Sequence, residues 1–330
     1  MIGVGSPIVD LLARVDDEFL ESVHGGKGGM QLVGTDELNE LVEAVPGPIR
    51  RAPGGSSANT IFALSRLGCE GAFVGKVGDD PDGEYYTGFF DDLGGDSSRF
   101  KRCVKGPTGR CLSLVTPDAQ RTMRTDLGAA STLVPGEIAA ADFEGFQHAH
   151  VEGYLLLNPA LCQTVLQSAS AAGCTISLDL GSYEVVNAVR EELPEILDRY
   201  VDVVMANEDE ARAFHPGDDP AAALYELKRH CAAAAVKLGA DGALVLENSR
   251  VHAIPAAAAE CVLDTTGAGD FWAAGFLYGF AHGWPAATCG RIGAVLGGAA
   301  VQHLGAALPE QAWRIIQREI IDLVKGEDNL

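Results

Sequence analysis

Asp264-Thr265-Thr266-Gly267-Ala268-Gly269-Asp270 runs without a break into Phe271-Trp272-Ala273-Ala274-Gly275-Phe276-Leu277, a segment of small and aromatic residues that reads as a helix. The first turn of a helix has N–H groups without internal partners and carries partial positive charge. With no bulky side chain at Gly267, Ala268 or Gly269, an anionic oxygen can come within hydrogen-bonding distance of those donors. Asp270 sets a carboxylate at the same helix start. This pairing suits phosphoryl transfer to an alcohol: the N–H groups stabilise charge on the transferring group while the carboxylate takes the hydroxyl proton. On this stretch alone, a capped helix whose glycines serve close packing is the plainer alternative.

Upstream of the motif, from about residue 145, the chain alternates strand and helix. The pattern predicts strands at 148–151, 174–180, 202–206 and 232–238, with helices at 159–172, 184–200, 208–214 and 220–230. Edge strands at 243–246 and 251–254 and helices at 267–282, 286–304 and 309–325 follow. Such alternation argues for a largely parallel sheet covered by helices on both faces. Nearer the start, 2–5 reads as a short strand leading through Ser6-Pro7 to Asp10. Its Gly3-x-Gly5 lacks a third glycine and has Pro7 where a helix should begin, which argues against a Rossmann fingerprint.

A glycine turn at 25–29 precedes a strand at 30–33, and Asp36 is placed to cap a helix through Val45. Pro53-Gly54-Gly55-Ser56-Ser57-Ala58-Asn59-Thr60 is a second glycine-rich helix start. The run 71–77 reads as one buried strand; Gly75-Lys76 is no Walker loop, since Val77 stands where Ser or Thr is needed, so Lys76 reads as structural. A helix over 83–93 is closed by Gly94. Strands at 111–116 and 121–125 around the turn Pro117-Asp118-Ala119-Gln120 form a hairpin. With 30–33 and 49–52 it is expected to build a small separate sheet. The division expected is one domain over 1–330 with a lid from insertions near 14–52 and 99–125.

The 330 residues are 47% hydrophobic and 21% charged, with 40 glycines and a mean hydropathy of +0.10, the profile of a globular chain. A net charge of −22 argues against nucleic acid, which needs basic patches. It also repels nucleotide phosphates, so helix N-termini, metal ions and local cations must offset it. Seven of the 24 basic residues are Lys; such a surface fits either high salt or simple solubility. Eight cysteines show no C-x-x-C or zinc spacing and sit mostly in apolar runs, as buried thiols of a cytoplasmic protein would. The start has no basic region and meets Asp10 early, unlike a signal peptide. The apolar runs 271–283 and 292–301 are too short and Gly-rich to span a membrane.

Asn207 and Glu210 follow a buried strand and share one helix face, suited either to holding a hydrated Mg²⁺ over phosphates or to capping the helix. Lys237-Leu238-Gly239-Ala240-Asp241-Gly242 is a strand–turn–strand where a nucleotide can approach backbone, or an ordinary hairpin turn. His148 and His150 alternate along a strand with no third ligand, so no metal site is expected. The same strand delivers Glu152 to its carboxyl end. Arg121 and Arg124 read either as surface charges or as groups that close over phosphate.

In this order, a Gly-Gly-x-x-x-Asn helix start, a hairpin sheet, Asn-x-x-Glu, Gly-x-x-Gly and Asp-Thr-Thr-Gly-Ala-Gly-Asp resemble the PfkB (ribokinase-like) kinase family, from Gly3 to about Gly305. The resemblance implies a doubly wound αβα core with a small β lid, and ATP and Mg²⁺ as cofactors. It makes Asp270 the catalytic base and Gly267, Ala268 and Gly269 the anion hole. Asn207 and Glu210 match the Mg²⁺/phosphate motif. Lys237, Gly239 and Gly242 match the nucleotide segment, where many members have Thr or Ser in place of Lys237. Asp10, Gly55 and Asn59 fall on substrate positions, Glu152 on a sugar-facing one, and Arg121 is grouped with them. Asp264 and the carbonyls of Thr266, Ala300, His303 and Gly305 match a K⁺-type monovalent-cation site of some members. Ala294 stands where ribokinases often carry Asn.

Gly54-Gly55-Ser56, where ribokinases usually have Gly-Gly-Lys, is most similar to bacterial adenosine-kinase-type members, as are 29–33 and 289–306. The expectation is therefore a cytoplasmic kinase, monomer or homodimer, acting on a primary hydroxyl of a nucleoside such as adenosine. A kinase of ribose, fructose or a keto-deoxy sugar is the alternative; a binding protein without turnover is disfavoured by the intact Asp270 and anion hole. Met30, Leu32, Leu112, Leu114 and Met123 in the lid segments lean toward a flat base.

Overall fold

A computed structural model describes residues 1–118, 120–247 and 249–327; the expected turn residue Ala119 lies outside them. The main sheet has eight strands in the order Arg250–Ile254, Ala243–Glu247, Ala233–Lys237, Val203–Asn207, Thr175–Asp179, His148–Glu152, Ile2–Val4, Ala72–Val74. All neighbours are parallel except the two pairings made by Ala243–Glu247. Its central strands are almost wholly buried apolar runs, as a sheet covered on both faces requires. One face packs on Phe271, Trp272, Phe276 and Ile292 of the late helices; the other is covered by Val165, Leu197 and Leu224. This is the doubly wound α/β architecture expected, a ribokinase-like fold.

The second sheet has five strands in the order Gly29–Leu32, Arg121–Asp126, Gly109–Val115, Ile8–Arg14, Arg50–Gly54. Four of these match the expected lid segments. The strand Ile8–Arg14, which pairs with both Gly109–Val115 and Arg50–Gly54, was not anticipated. Val9, Leu11 and Ala13 go to the core, while Asp10, Leu12 and Arg14 take the opposite face.

Other boundaries differ for local reasons. The expected strand 71–77 breaks at Gly75, where Gly5 and Pro7 pack too closely for any side chain. Ala72–Val74 stays in the main sheet, and Lys76–Gly78 pairs with Lys101–Cys103. The helix expected over 184–200 is two, Tyr183–Ala188 and Leu193–Tyr200, the second opening on Pro194 at its first turn, where proline is tolerated. Asp36 does not cap: the helix Thr35–Ala44 starts after Gly34, with Asp36 in its first turn. The helix expected at 83 begins at Pro81, capped by the Asp80 carboxylate, which accepts from Gly83 N–H. Lys76 is structural, its Nζ donating to Glu137 at 2.7 Å and to the Thr132 carbonyl. Of the cysteines, all free, Cys111, Cys162, Cys174, Cys231 and Cys289 are buried. Among the described residues no helix is long and apolar enough to cross a membrane.

Candidate active site

The motif Asp264–Asp270 turns where the late helix Ala268–Ala281 begins. Gly267 is its N-cap at φ +71°, a left-handed conformation that a side chain resists, and a Cβ there would also stand 3.1 Å from Ala306 Cβ. The helical ladder opens with Phe271 N–H donating to the Gly267 carbonyl at 2.8 Å, so the N–H groups of Gly269 and Asp270 precede it. Ala268 N–H, expected as an anion donor, is already given to the Thr265 carbonyl at 3.2 Å.

Asp270 is held at both oxygens. Ser56 Oγ donates to Oδ1 at 2.8 Å, and Asn59 Nδ2 donates to Oδ2 at 2.9 Å. Both donors lie on the first turns of the helix Ser56–Arg66, so the second glycine-rich start is folded against the first. Asn59 Oδ1 is buried with no partner among the described residues. Burial, and secondarily Asp179, push the Asp270 carboxyl up to about 6, against the opposing pull of Asn59, Ser56 and Lys237. A carboxylate so placed is a base suited to near-neutral pH.

Lys237 ends its strand with Nζ 2.5 Å from Asp179 Oδ2 and 3.4 Å from where a Cβ on Gly269 would stand. Its ammonium therefore lies at the Gly267–Asp270 turn. Burial alone would lower its pKa, but Asp179, Glu210 and Asp270 raise it, so it stays charged. Asn207 and Glu210 form a reciprocal cap: Asn207 Oδ1 accepts from Glu210 N–H, while Glu210 accepts from the Asn207 N–H and Nδ2. The helix-cap reading thus holds locally. Burial and the neighbouring Asp179 raise the Glu210 carboxyl. Among the described residues no group of His, Cys, Asp and Glu forms a ready metal cage; a Mg²⁺ that keeps its waters and takes phosphate oxygens needs none. Gly239 and Gly242 flank the turn after Lys237, where Leu238 N–H donates to the Gly242 carbonyl at 2.8 Å.

Asp10 approaches the site from the lid strand, beside Arg121, Asp270 and Asp264, and burial pushes its carboxyl up to about 7. Gly55, at φ +102°, precedes the Ser56–Arg66 helix. Glu152, expected to face substrate, is spent on the backbone: Oε1 accepts from Ser6 N–H at 2.8 Å, and Oε2 from Ser57 N–H at 3.5 Å. It ties two chain segments at the floor of the site, and burial moves it up to about 7. His148 and His150 share Ser177 Oγ, each at 2.8 Å, and burial lowers both to about 3. They are neutral packing groups.

Arg124 is buried and donates to the His24 carbonyl, so it serves the lid's interior rather than a phosphate. Arg121, by contrast, reaches the Asp264–Asp270 motif, its Nε 3.4 Å from Asp264 Oδ1. Asp264 also accepts from Thr266 N–H and Oγ on Oδ1 and from Gly305 N–H on Oδ2. Three of these contacts fall on Oδ1 and one on Oδ2, so Oδ2 keeps a lone pair open. The Ala300 carbonyl accepts from His303 N–H at 3.1 Å.

Sequence reading missed Ser56 and Asp179 as members of the site. Each had a signal: Ser56 sits inside the second glycine motif, and Asp179 ends a parallel strand, where ligand crevices open. Together these groups provide an anion-holding helix start, a base and one buried ammonium, the parts that phosphoryl transfer to an alcohol requires.

The molecule resembles the adenosine kinase from Sinorhizobium meliloti at TM-score 0.87 and 33% identity, covering 96% of this chain and 98% of that one. It matches a probable sugar kinase from Rhizobium etli CFN 42 at TM-score 0.87 and 30% identity, covering 96% and 97%. In sequence, adenosine kinase 1 of Arabidopsis thaliana is 24% identical over 345 residues, 94% of this chain and 96% of the relative. An uncharacterized sugar kinase of Archaeoglobus fulgidus is 27% identical over 245 residues, 74% of this chain and 96% of the relative. The description "pfkB family carbohydrate kinase" matches residues 29–313, and on that span the chain belongs to the PfkB family, phosphotransferases with an alcohol group as acceptor.

Proposed function

We propose that this chain uses ATP and Mg²⁺ to phosphorylate a primary hydroxyl of a nucleoside such as adenosine. The observation that carries the acceptor class is the lid face above Asp270. Strand register aligns Leu12 with Ser113, Ser113 with Met123, and Met123 with Met30, on the face that bears Asp10 and Arg121. Met30 and Leu32 are 44% and 62% exposed, an apolar surface on which a flat base can lie. Leu112 and Leu114, counted toward that surface from sequence, point the other way and are wholly buried in the lid's core.

In this reading Asp270 accepts the proton of the attacking hydroxyl, and the first-turn N–H groups with Lys237 hold the charge of the transferring group. Asn59 and Asp10 orient the acceptor. Asn207 and Glu210 would hold the hydrated Mg²⁺, which supplies charge neutralisation at the phosphates. The lid excludes water that would otherwise take the phosphoryl group.

ADP release with adenosine, ribose and fructose at matched concentrations tests the acceptor, with Asp270→Asn as the blank. Adenosine is expected to give a kcat/KM higher by at least about tenfold, which needs only ~1.4 kcal/mol of differential transition-state binding. Equal or better turnover of a free sugar moves the chain to the sugar kinases. No turnover above the blank with any acceptor leaves a binding protein.

A further inference from the structure

We propose that His150 is a positioning residue for Lys237. Its Nε2 accepts an N–H of the Lys237 ammonium through one buried water, which fixes that ammonium from below the Gly267–Asp270 turn. This rests on the kinase reading above, in which Lys237 holds the charge of the transferring group. On one face of the neighbouring strands His148–Glu152 and Thr175–Asp179, three polar pairs stand level: His148 with Thr175, His150 with Ser177, and Glu152 with Asp179. His148, His150 and Ser177 are buried, and polar groups so placed need partners. The hydrogen-bond inventory assigns their tautomers. Thr175 Oγ donates to the Gln147 carbonyl at 3.2 Å, so at 2.7 Å it accepts from His148 Nδ1–H. His148 Nε2 is then an acceptor and is served by the Ser177 hydroxyl at 2.8 Å. With its one proton given, Ser177 Oγ accepts from His150 Nδ1–H, also at 2.8 Å. His150 Nε2 is left as a lone pair, buried and without a partner among the described residues, an arrangement that calls for a donor.

His148 shows how this file of side chains runs. Its Nδ1 meets Thr175, level with it, and its Nε2 meets Ser177, one step further along that strand face. The Nδ1 of His150 meets Ser177 in the same way, so the same step carries its Nε2 toward the level of Asp179, the residue that Lys237 Nζ grips at 2.5 Å. Glu152, the other side chain at that level, turns its oxygens to the Ser6 and Ser57 N–H groups. The Lys237 charge discriminates accordingly: it lowers the His150 imidazole, whereas His148 responds to burial, His150 and the chain's N-terminus. A water between Nε2 and Nζ has the imidazole, the ammonium and the Asp179 carboxylate as polar neighbours, enough to hold it. An ammonium carries three N–H groups. Asp179 takes one and the water under His150 a second, which leaves the third for the turn, where Nζ lies 3.4 Å from the place of a Gly269 Cβ.

The test uses the full chain, first without substrate and then in turnover. Nitrogen NMR of the histidine rings, with His148→Gln and His150→Gln identifying the signals, is expected to show both rings as Nδ1–H tautomers. Lys237→Met should move the His150 Nε2 signal and leave that of His148 in place. In ADP release with ATP, Mg²⁺ and the best acceptor, His150→Phe keeps a ring without an acceptor and should lower kcat at least about tenfold. His150→Gln can set its amide oxygen near the place of Nε2 and should recover most of that loss. His150→Asn, reaching only Ser177, should not. An Nε2–H tautomer at His150, or a His150 signal blind to Lys237→Met, overturns the proposal. So does a His150→Phe protein with wild-type kcat, or Gln and Asn variants impaired alike, which would make His150 a packing residue only. Should the Phe variant not fold, the tautomer and the comparison of Gln with Asn still decide. If no acceptor is phosphorylated, the kinase reading fails, and the ring signals alone decide whether His150 meets Lys237.

Discussion

In the proposed reaction Asp270 is the base, and its environment sets a testable pH limb. Burial raises its pKa to about 6, while hydrogen bonds from Asn59 and Ser56 restrain it. A base must be deprotonated to act, so kcat/KM should rise with pH through about 6 and level off above it. Ser56→Ala removes a donor that favours the charged form, so the limb should move to higher pH while the plateau changes less. A pH–rate profile of the two proteins with one acceptor checks both. A limb that stays in place would mean that Ser56 does not touch the base during turnover.

Among the elements, the helix Ser56–Arg66 links sequence to site most directly, because both its ends are glycine-dependent in different ways. Gly55, at φ +102°, has the Ser6 carbonyl 2.3 Å from where a Cβ would lie; Gly68, at φ +90°, has nothing within 4 Å. Gly68→Ala should therefore cost only the left-handed strain, about 1–2 kcal/mol. Gly55→Ala should cost about 2–4 kcal/mol, since backbone must also shift. Denaturant midpoints of the two variants measure the difference.

The same scale shows what the sequence could and could not reveal. The parallel strands and the helix behind Asp264–Asp270 were legible because their apolar runs and glycine stops are local. Ile8–Arg14 was not, because Leu12 on its second face blurs the alternation that marks a half-buried strand. The break at Gly75 and the pairing of Arg121 with Asp264 depend on residues distant in sequence. Glu152 had the right residue type at the right strand end, but only the fold decides whether its oxygens meet a ligand or the Ser6 and Ser57 amides.

For the whole molecule, charge governs stability. Asp10 and Glu152 titrate at about 7 in the fold, against 3.8 and 4.5 for the free groups. Their folded pKa values are raised, so the folded state binds more protons, and stability is fullest below the free values and is lost as pH rises through about 7. The net charge of −22 adds repulsion that grows over the same range, and salt screens that part alone. The ligand-free protein is thus expected to melt at lower temperature at pH 8 than at about pH 6. Added NaCl should narrow this difference without abolishing it. Melting curves across pH at two ionic strengths separate the buried groups from the surface field.

The placement of Ile2–Val4 carries a consequence for how the protein is made. That strand lies between Ala72–Val74 and His148–Glu152, with Ile2 opposite Ala149. This segment, made before either neighbour, thus fills a slot whose second wall is synthesised much later. Until then its apolar edge has one neighbour, and a long loop must close before the other can form. During translation this interval is when the nascent chain depends most on chaperones and is most open to misassociation.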